Sequence, residues 1–276
     1  MILVTGASGN VGAEVVRALL NANEQVRALT RGAHPAGLPA EVEAVTGDLD
    51  QPETLRAALD GVRGVFLLPG YQDMPAVLAE IRRAGAGRVV LLSGSSAADG
   101  DTTNAVSAYM IRSEAAAREA GVPWTILRPF GLMSNTLRWR PQLRHGDVVV
   151  QPFANVPVAM IDPYDIAAVA AVALRAGTHD GRGYTLSGPE SLLPADRVRI
   201  LGEVLGRDLR LDAQSNTDAR EQMGAEMPQE YVDAFFSFYV DGTLDESHAL
   251  PTVEEILQRK PRTFAQWAAA HAEAFR

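Results

Sequence analysis

Three glycines set the terms on which this chain can fold. The run Thr5-Gly6-Ala7-Ser8-Gly9-Asn10-Val11-Gly12 follows an apolar stretch, Met1–Thr5, and leads into an amphipathic one, Val11–Leu20. A glycine trio alone is a weak sign, but between a strand and a helix at the head of a βαβ unit it marks a specific kind of turn. Gly6 permits the tight turn, Gly9 lets backbone approach a pyrophosphate without a Cβ in the way, and Gly12 lets the helix lie close to the sheet. The amides around Ser8, Asn10 and Val11 then face phosphate oxygens, where the helix dipole favours negative charge. The pattern predicts a bound dinucleotide.

The rhythm of that first unit continues. Gln25–Thr30, Val42–Thr46, Gly64–Leu68, Arg88–Ser93 and Pro123–Leu127 read as strands, several of them almost wholly apolar, as strands covered on both faces are. Between them Glu53–Leu59, Pro75–Ala84 and Thr103–Ala120 read as helices. Pro52 and Pro75 sit where a first-turn proline is tolerated, and Gly85 and Gly121 where a helix ends. Six βα alternations predict an α/β fold of Rossmann type, a doubly wound parallel sheet with helices on both faces.

After Phe130 the alternation breaks. Trp139–His145 reads as basic and irregular, Asp147–Val150 as a short strand, Asp162–Ala176 as a helix and Tyr184–Ser187 as a strand. Pro194–Leu205, Pro228–Tyr239, Val253–Gln258 and Thr263–Phe275 read as helices. The expected division is a dinucleotide-binding core over 1–135, with 158–188 returning to it, and a smaller, mostly helical lobe from 136–157 and 189–276. That lobe would cover the cofactor and shape the substrate pocket.

The end of the second strand chooses the dinucleotide. An acid there would hold the ribose 2′-hydroxyl of NAD(H). Here the sequence runs Ala28-Leu29-Thr30-Arg31-Gly32, with no acid until Glu41. Arg31 can face a 2′-phosphate and Thr30 can offer a hydroxyl, so NADP(H) is expected over NAD(H). A charge-assisted contact of this kind contributes about 1.5–3 kcal/mol, on the order of 10- to 100-fold in affinity.

Composition narrows the rest. The 276 residues contain no cysteine, which excludes disulfides, thiolate nucleophiles and Cys-type metal sites. No metal is expected. A formal net charge of −9 argues against broad nucleic-acid binding. No apolar run reaches the roughly 18–20 residues of a membrane span, and a strand starting at Ile2 leaves no room for a signal peptide. The expectation is a cytoplasmic protein, monomeric or homodimeric, with a small molecule as its partner and neither nucleic acid nor membrane.

TGASGNVG, the TRG after the second strand, GDLDQPETL, VVLLSGSSA, GVPWTILRPFGLMSN, IDPYDIAAVA, YTLSGPE and QRKPRTFAQWAAAH together resemble the atypical short-chain dehydrogenase/reductases, in particular the NmrA-like group. That group includes NADPH-dependent quinone reductases and catalytically inactive NADPH sensors. The resemblance implies that Asp48 and Leu49 border the adenine and that Leu67, Leu68 and Pro69 line the ribose side. It also implies that Ser93, Pro129 and Phe130 lie at the nicotinamide end. Each sits at a strand's C-terminal end, where open α/β sheets bind ligands. Asp162 and Asp165 are expected to cap the helix that begins near Pro163 rather than to act as a catalytic pair.

Orthodox members of the superfamily use a serine, a tyrosine and a lysine four residues after it, the lysine lowering the tyrosine pKa for proton exchange. Ser95, Ser96 and Tyr109 are the candidates here, but the residue four beyond Tyr109 is Ser113, and Arg112 cannot readily relay a proton. Three readings follow. Hydride transfer can proceed with weak protonation from Tyr109, Ser95 or water, which suits quinones and aromatic or conjugated ketones of polyketide type. The substrate, His145 or Tyr164 can supply the proton. Or the protein senses NADP(H) without turnover, in the manner of the NmrA-type regulators; a redox-neutral isomerase or epimerase is a further alternative. Phe130, Met133, Trp139 and Phe153 are expected to line a flat apolar substrate pocket.

Overall fold

The computed structural model describes residues 1–32 and 37–276. In chain order the first elements are β1 (Ile2–Val4), α1 (Asn10–Asn21), β2 (Val26–Thr30), β3 (Glu43–Thr46), α2 (Arg56–Leu59), β4 (Gly64–Leu67), α3 (Met74–Arg83), β5 (Val89–Leu92), α4 (Ala105–Glu119) and β6 (Trp124–Pro129). Then come α5 (Arg140–Leu143), β7 (Val148–Gln151), α6 (Pro163–Arg175), β8 (Arg182–Leu186), α7 (Pro194–Leu205), β9 (Arg210–Ala213), α8 (Asn216–Glu226), α9 (Gln229–Tyr239), α10 (Thr252–Leu257) and α11 (Phe264–Ala270). They divide into two units, one of residues 1–100, 107–129 and 163–185, the other of residues 101–106, 130–162 and 186–276.

In the first unit seven strands form one sheet in the order β3-β2-β1-β4-β5-β6-β8, and every pair from β3 to β6 is parallel. Leu3, Val65, Leu67, Val89 and Leu91 fill one face, packed with Leu55, Leu59, Val77, Leu78 and Ile81 of the α2 and α3 region. The alternate residues Ile2, Val4, Phe66 and Val90 are just as buried, because successive strand residues point to opposite faces and this sheet is covered on both. On the second face α6 packs against α1; its alanines permit the close approach, and Val11, Val15, Val16 and Leu19 give α1 its buried stripe. The parallel Rossmann-type sheet read from the alternation is therefore present. Chain order reverses between β1 and β4, which opens the crevice at their C-terminal ends.

The second unit holds a two-stranded parallel ribbon, β7 with β9, and the helices α5 and α7 to α11. Its main core gathers Met133, Trp139, Leu143, Val198, Leu201, Phe264 and Trp267. α11 starts with a reciprocal cap: Thr263 accepts from the Gln266 amide, and the Gln266 side chain accepts from the Thr263 amide. The Trp139–His145 stretch is not irregular. Met133–Trp139 is a 3-10 helix that passes directly into α5. Trp139 and Leu143, four residues apart, anchor it to the core, whereas His145 is exposed. β9 and α8 are further elements that the sequence reading did not anticipate. Among the described residues no helix is long and apolar enough to cross a membrane, and no group of three or more acids and histidines could hold a metal ion.

Candidate dinucleotide site

The glycine turn closes as its residue types dictate. Gly6 adopts φ +62°, a conformation that side chains rarely tolerate, and its carbonyl accepts the Gly9 amide at 2.9 Å. A Cβ on Gly6 would also strike the Leu68 side chain at 2.5 Å. Gly9 is the N-cap of α1 and brings no side-chain cap to the helix start. Its own Cβ would meet only the Gly6 carbonyl oxygen, at 3.3 Å. Gly12 differs: a Cβ there would lie 2.1 Å from the Gly6 oxygen and 2.5 Å from the Gly6 carbonyl carbon. Gly12 thus seats the first turn of α1 directly on the loop, leaving uncapped backbone amides at the helix start.

A cavity of about 350 Å³ opens beside this turn, lined by Gly6, Ala7 and Ser8, by Leu29 to Gly32, by Gly47 to Asp50, and by Leu68 and Tyr71. It lies at the C-terminal ends of β1, β2, β3 and β4. Arg31 is exposed at its rim, and among the described residues it forms no ion pair. Thr30 sends its hydroxyl proton to the Gly32 carbonyl at 2.8 Å, so it braces the turn that carries Arg31. The Asp48 carboxylate accepts the Asp50 amide at 3.0 Å, and Leu49 between them is buried. Leu67 is wholly buried in the sheet core, whereas Leu68 reaches the cavity and its amide donates to the Thr5 hydroxyl at 3.1 Å.

Tyr71 was not singled out from the sequence. Burial raises its phenol pKa, with Asp50 and Asp48 adding to the effect and Arg31 opposing it. The phenol therefore remains a neutral hydroxyl, with its ring at the cavity wall. Its signal was an aromatic directly after Pro69-Gly70, at the mouth of the strand next to the glycine turn.

Further along the sheet, Ser113 stands where the orthodox lysine would be. Its hydroxyl accepts the Gly70 amide at 3.0 Å and donates to the Tyr109 carbonyl at 2.8 Å. Gly70, at φ +91°, has the Tyr109 ring pressed on it, since a Cβ there would meet Tyr109 Cδ2 at 3.2 Å. Ser113 is thus a tie between the loop after β4 and α4. The chain's single lysine, Lys260, belongs to the other unit.

Ser93, at the end of β5, is buried and donates to Glu114 Oε1 at 2.7 Å. Glu114 also receives Arg128 Nε at 2.8 Å on Oε1 and Arg118 Nη2 at 2.8 Å on Oε2. Burial alone would raise the Glu114 pKa, but the hydrogen bonds from Arg128, Ser93 and Arg118, with the Arg128 charge, hold it below the usual carboxylate value. Ser95 and Ser96 lie buried in a 3-10 turn after β5, with Ser96 Oγ against the Met110 sulfur at 3.9 Å. Pro129 ends β6.

The remaining predicted pocket residues lie in the second unit. Phe130 and Met133 are buried, and Trp139 is 2% exposed, its indole nitrogen donating to Gln151 at 2.8 Å. Phe153, at φ +57°, is partly exposed and packs on Phe236 and Tyr239 with ring centroids 5.3 and 5.1 Å away. Asp162 is buried and faces Arg262 at 3.5 Å, and Asp165 is buried within α6.

A parallel sheet with a glycine turn, a helix seated on it and a cavity at the point of strand reversal defines a Rossmann-type dinucleotide-binding protein. The sequence profile of the NAD(P)H-binding family matches residues 6–176, and the chain belongs to that family, among the NmrA-like atypical short-chain dehydrogenase/reductases. It is 39% identical to a (4-alkanoyl-5-oxo-2,5-dihydrofuran-3-yl)methyl phosphate reductase of Streptomyces griseus, over 100% of this chain and 99% of that one. It is 36% identical to an NAD(P)H azoreductase of Xenophilus azovorans, with the same coverage. Among solved structures, the Citrobacter triphenylmethane reductase complexed with NADP(H) shares the fold, with a TM-score of 0.80 at 21% identity over 99% of this chain and 100% of that one.

Proposed function

We propose that this protein is an NADPH-dependent reductase that passes hydride to a quinone or to an aromatic, conjugated ketone or lactone. The observation that carries the reading is Ser113: the position of the relay lysine is filled by a hydroxyl already engaged by Gly70 and Tyr109. A site without the orthodox tyrosine–lysine relay suits acceptors whose reduced anion is stabilised by conjugation. One similar relative is named for a furanone whose ring double bond is conjugated with two carbonyls, an acceptor of that kind, and the other for an azo bond, which takes its hydride at nitrogen.

NADPH, when bound, supplies a hydride from nicotinamide C4. The chain's own residues do the rest. Gly6, Gly9 and Gly12 shape the phosphate turn, Arg31 selects the 2′-phosphate, and Ser113 and Glu114 fix the loop after β4 and the end of β5. Rate enhancement then comes mainly from holding the two reactants together, with Tyr109, Ser95 or water completing the transfer with one proton.

Loss of absorbance at 340 nm with a panel of quinones, azo dyes and conjugated ketones tests the reading. Tight NADPH binding with no turnover across the panel would replace it with a cofactor sensor, and redox-neutral conversion of a substrate with an isomerase. Two variants sharpen the result. Arg31→Ala should weaken NADPH by about 10- to 100-fold and leave NADH nearly unchanged, read by fluorescence titration. Equal losses for both cofactors would remove the phosphate contact. Tyr109→Phe should leave cofactor affinity intact and cost less than the roughly 100-fold expected for loss of a general acid. A larger fall in kcat would make the tyrosine the proton donor.

A further inference from the structure

The cavity beside the glycine turn has an apolar wall and a polar rim. Leu29, Leu49, Leu68 and Tyr71 supply the wall, and Arg31 and Asp50 are exposed around it. At about 350 Å³ it has room for a nucleoside and not for a whole dinucleotide. It lies where β2 ends and Arg31 begins, so the half of a dinucleotide that fits it is the adenosine half. Adenine is a flat ring that proteins hold largely by stacking it on an aromatic side chain, because every base has a π-face. Among the described residues that line the cavity, Tyr71 alone is aromatic.

The loop that carries Tyr71 is held on both sides. Before it, the Leu68 amide donates to the Thr5 hydroxyl at 3.1 Å and the Gly70 amide to Ser113 at 3.0 Å. After it, Asp73 caps α3 and accepts the Ala76 amide at 2.9 Å. Only Tyr71 and Gln72 lie between those anchors. The ring itself is half-buried and packs on the core cluster that includes Leu29, Leu49 and Leu67. A ring fixed in this way has little freedom left to lose when a base lands on it, which favours binding. Burial also keeps the phenol neutral, so no negative charge stands beside a ligand that carries phosphates.

We propose that Tyr71 is the stacking platform for the adenine ring and that it sets the affinity for NADPH and NADH alike. This rests on the dinucleotide reading of the cavity and is testable without turnover. The signature differs from that of Arg31. A guanidinium facing the 2′-phosphate separates the two dinucleotides, whereas a stacked ring senses only the base they share. Two variants isolate the ring. Tyr71→Leu keeps an apolar contact with the core and removes the π-face, and Tyr71→Phe keeps the ring and removes the hydroxyl.

Calorimetric titration with NADPH, NADH and ADP-ribose reads the result, at a temperature where thermal melts show each protein folded. Tyr71→Leu should weaken all three ligands by one common factor, about 5- to 100-fold, and leave the ratio of NADPH to NADH affinity unchanged. Tyr71→Phe should bind all three as the wild type does. A loss confined to NADPH, or a changed ratio, would mean that the side chain acts at the 2′-phosphate or shapes the turn. An equal loss in Tyr71→Phe would make the hydroxyl the contact. Each of these results overturns the proposal, as does wild-type affinity in Tyr71→Leu or a wild-type protein that fails to bind ADP-ribose. Turnover then separates the two claims. If no acceptor of the panel is reduced while Tyr71→Leu still weakens ADP-ribose, the reductase reading fails and the platform stands. If Tyr71→Leu reduces an acceptor with the wild-type KM for NADPH, the platform fails and the reductase stands.

Discussion

Replacing Gly12 with alanine should abolish dinucleotide binding at any practical concentration, an affinity loss of at least about 100-fold, and should destabilise the protein as well. The added Cβ would sit 2.1 Å from the Gly6 carbonyl oxygen and 3.0 Å from the Ala7 nitrogen, all backbone atoms that no rotamer change can move aside. Either α1 lifts from the turn or the turn opens, and both displace the amides that would hold the pyrophosphate. Overpacking of this kind costs about 1–3 kcal/mol in stability. Gly9→Ala is the informative partner. Its Cβ meets only the Gly6 oxygen at 3.3 Å, and its φ of −86° suits alanine, so the melting temperature should hold. The methyl group would instead stand where a phosphate must approach, and NADPH affinity should fall by itself. Full NADPH affinity in either variant, read by fluorescence titration, would remove the pyrophosphate from this turn.

The second large effect concerns Glu114, whose side chain is 1% exposed and pairs with Arg128 and Arg118. Glu114→Gln leaves Arg128 partly buried without its charge partner, which should cost about 3–5 kcal/mol. For a chain of this size that lowers the melting temperature on the order of 10 °C. Adding Arg128→Met should restore part of the loss, since the stranded charge is then gone. The acid dependence follows from the same pair. The folded pKa of Glu114 lies below the ordinary 4.5, so its stabilisation is complete above the unfolded value and is lost as pH falls through the folded one. Thermal melts from pH 7 to pH 3 should show the wild-type protein losing stability below about pH 4.5 more steeply than Glu114→Gln. Parallel curves would mean that the carboxylate is not held by its arginines.

The proposed cofactor site, backbone amides and one arginine, would be generic, and Ser113 stands where the relay lysine of orthodox members would be.

Much of this molecule is written in local patterns. The glycine spacing, the apolar strands and the periodicity of α1 depend on neighbours a few residues away, so the parallel sheet and its phosphate turn could be read from the chain alone. The absence of a lysine four residues after Tyr109 was equally legible. Elements with few buried residues were not. α8 buries only Ala219, so it carries no apolar stripe, and β9 is mostly exposed. Trp139 and Leu143 were two anchors in a basic stretch, too few to suggest a helix.

The partners of polar groups are a matter of distance in space, and there the tertiary structure decided. Nothing near Ser93 in sequence points to Glu114, 21 residues on, or joins Glu114 to Arg128 on another strand. Tyr71 gained its place from the folding of four strand ends around one cavity. No local pattern could supply these pairings, because burial and ion pairing are properties of the packed chain.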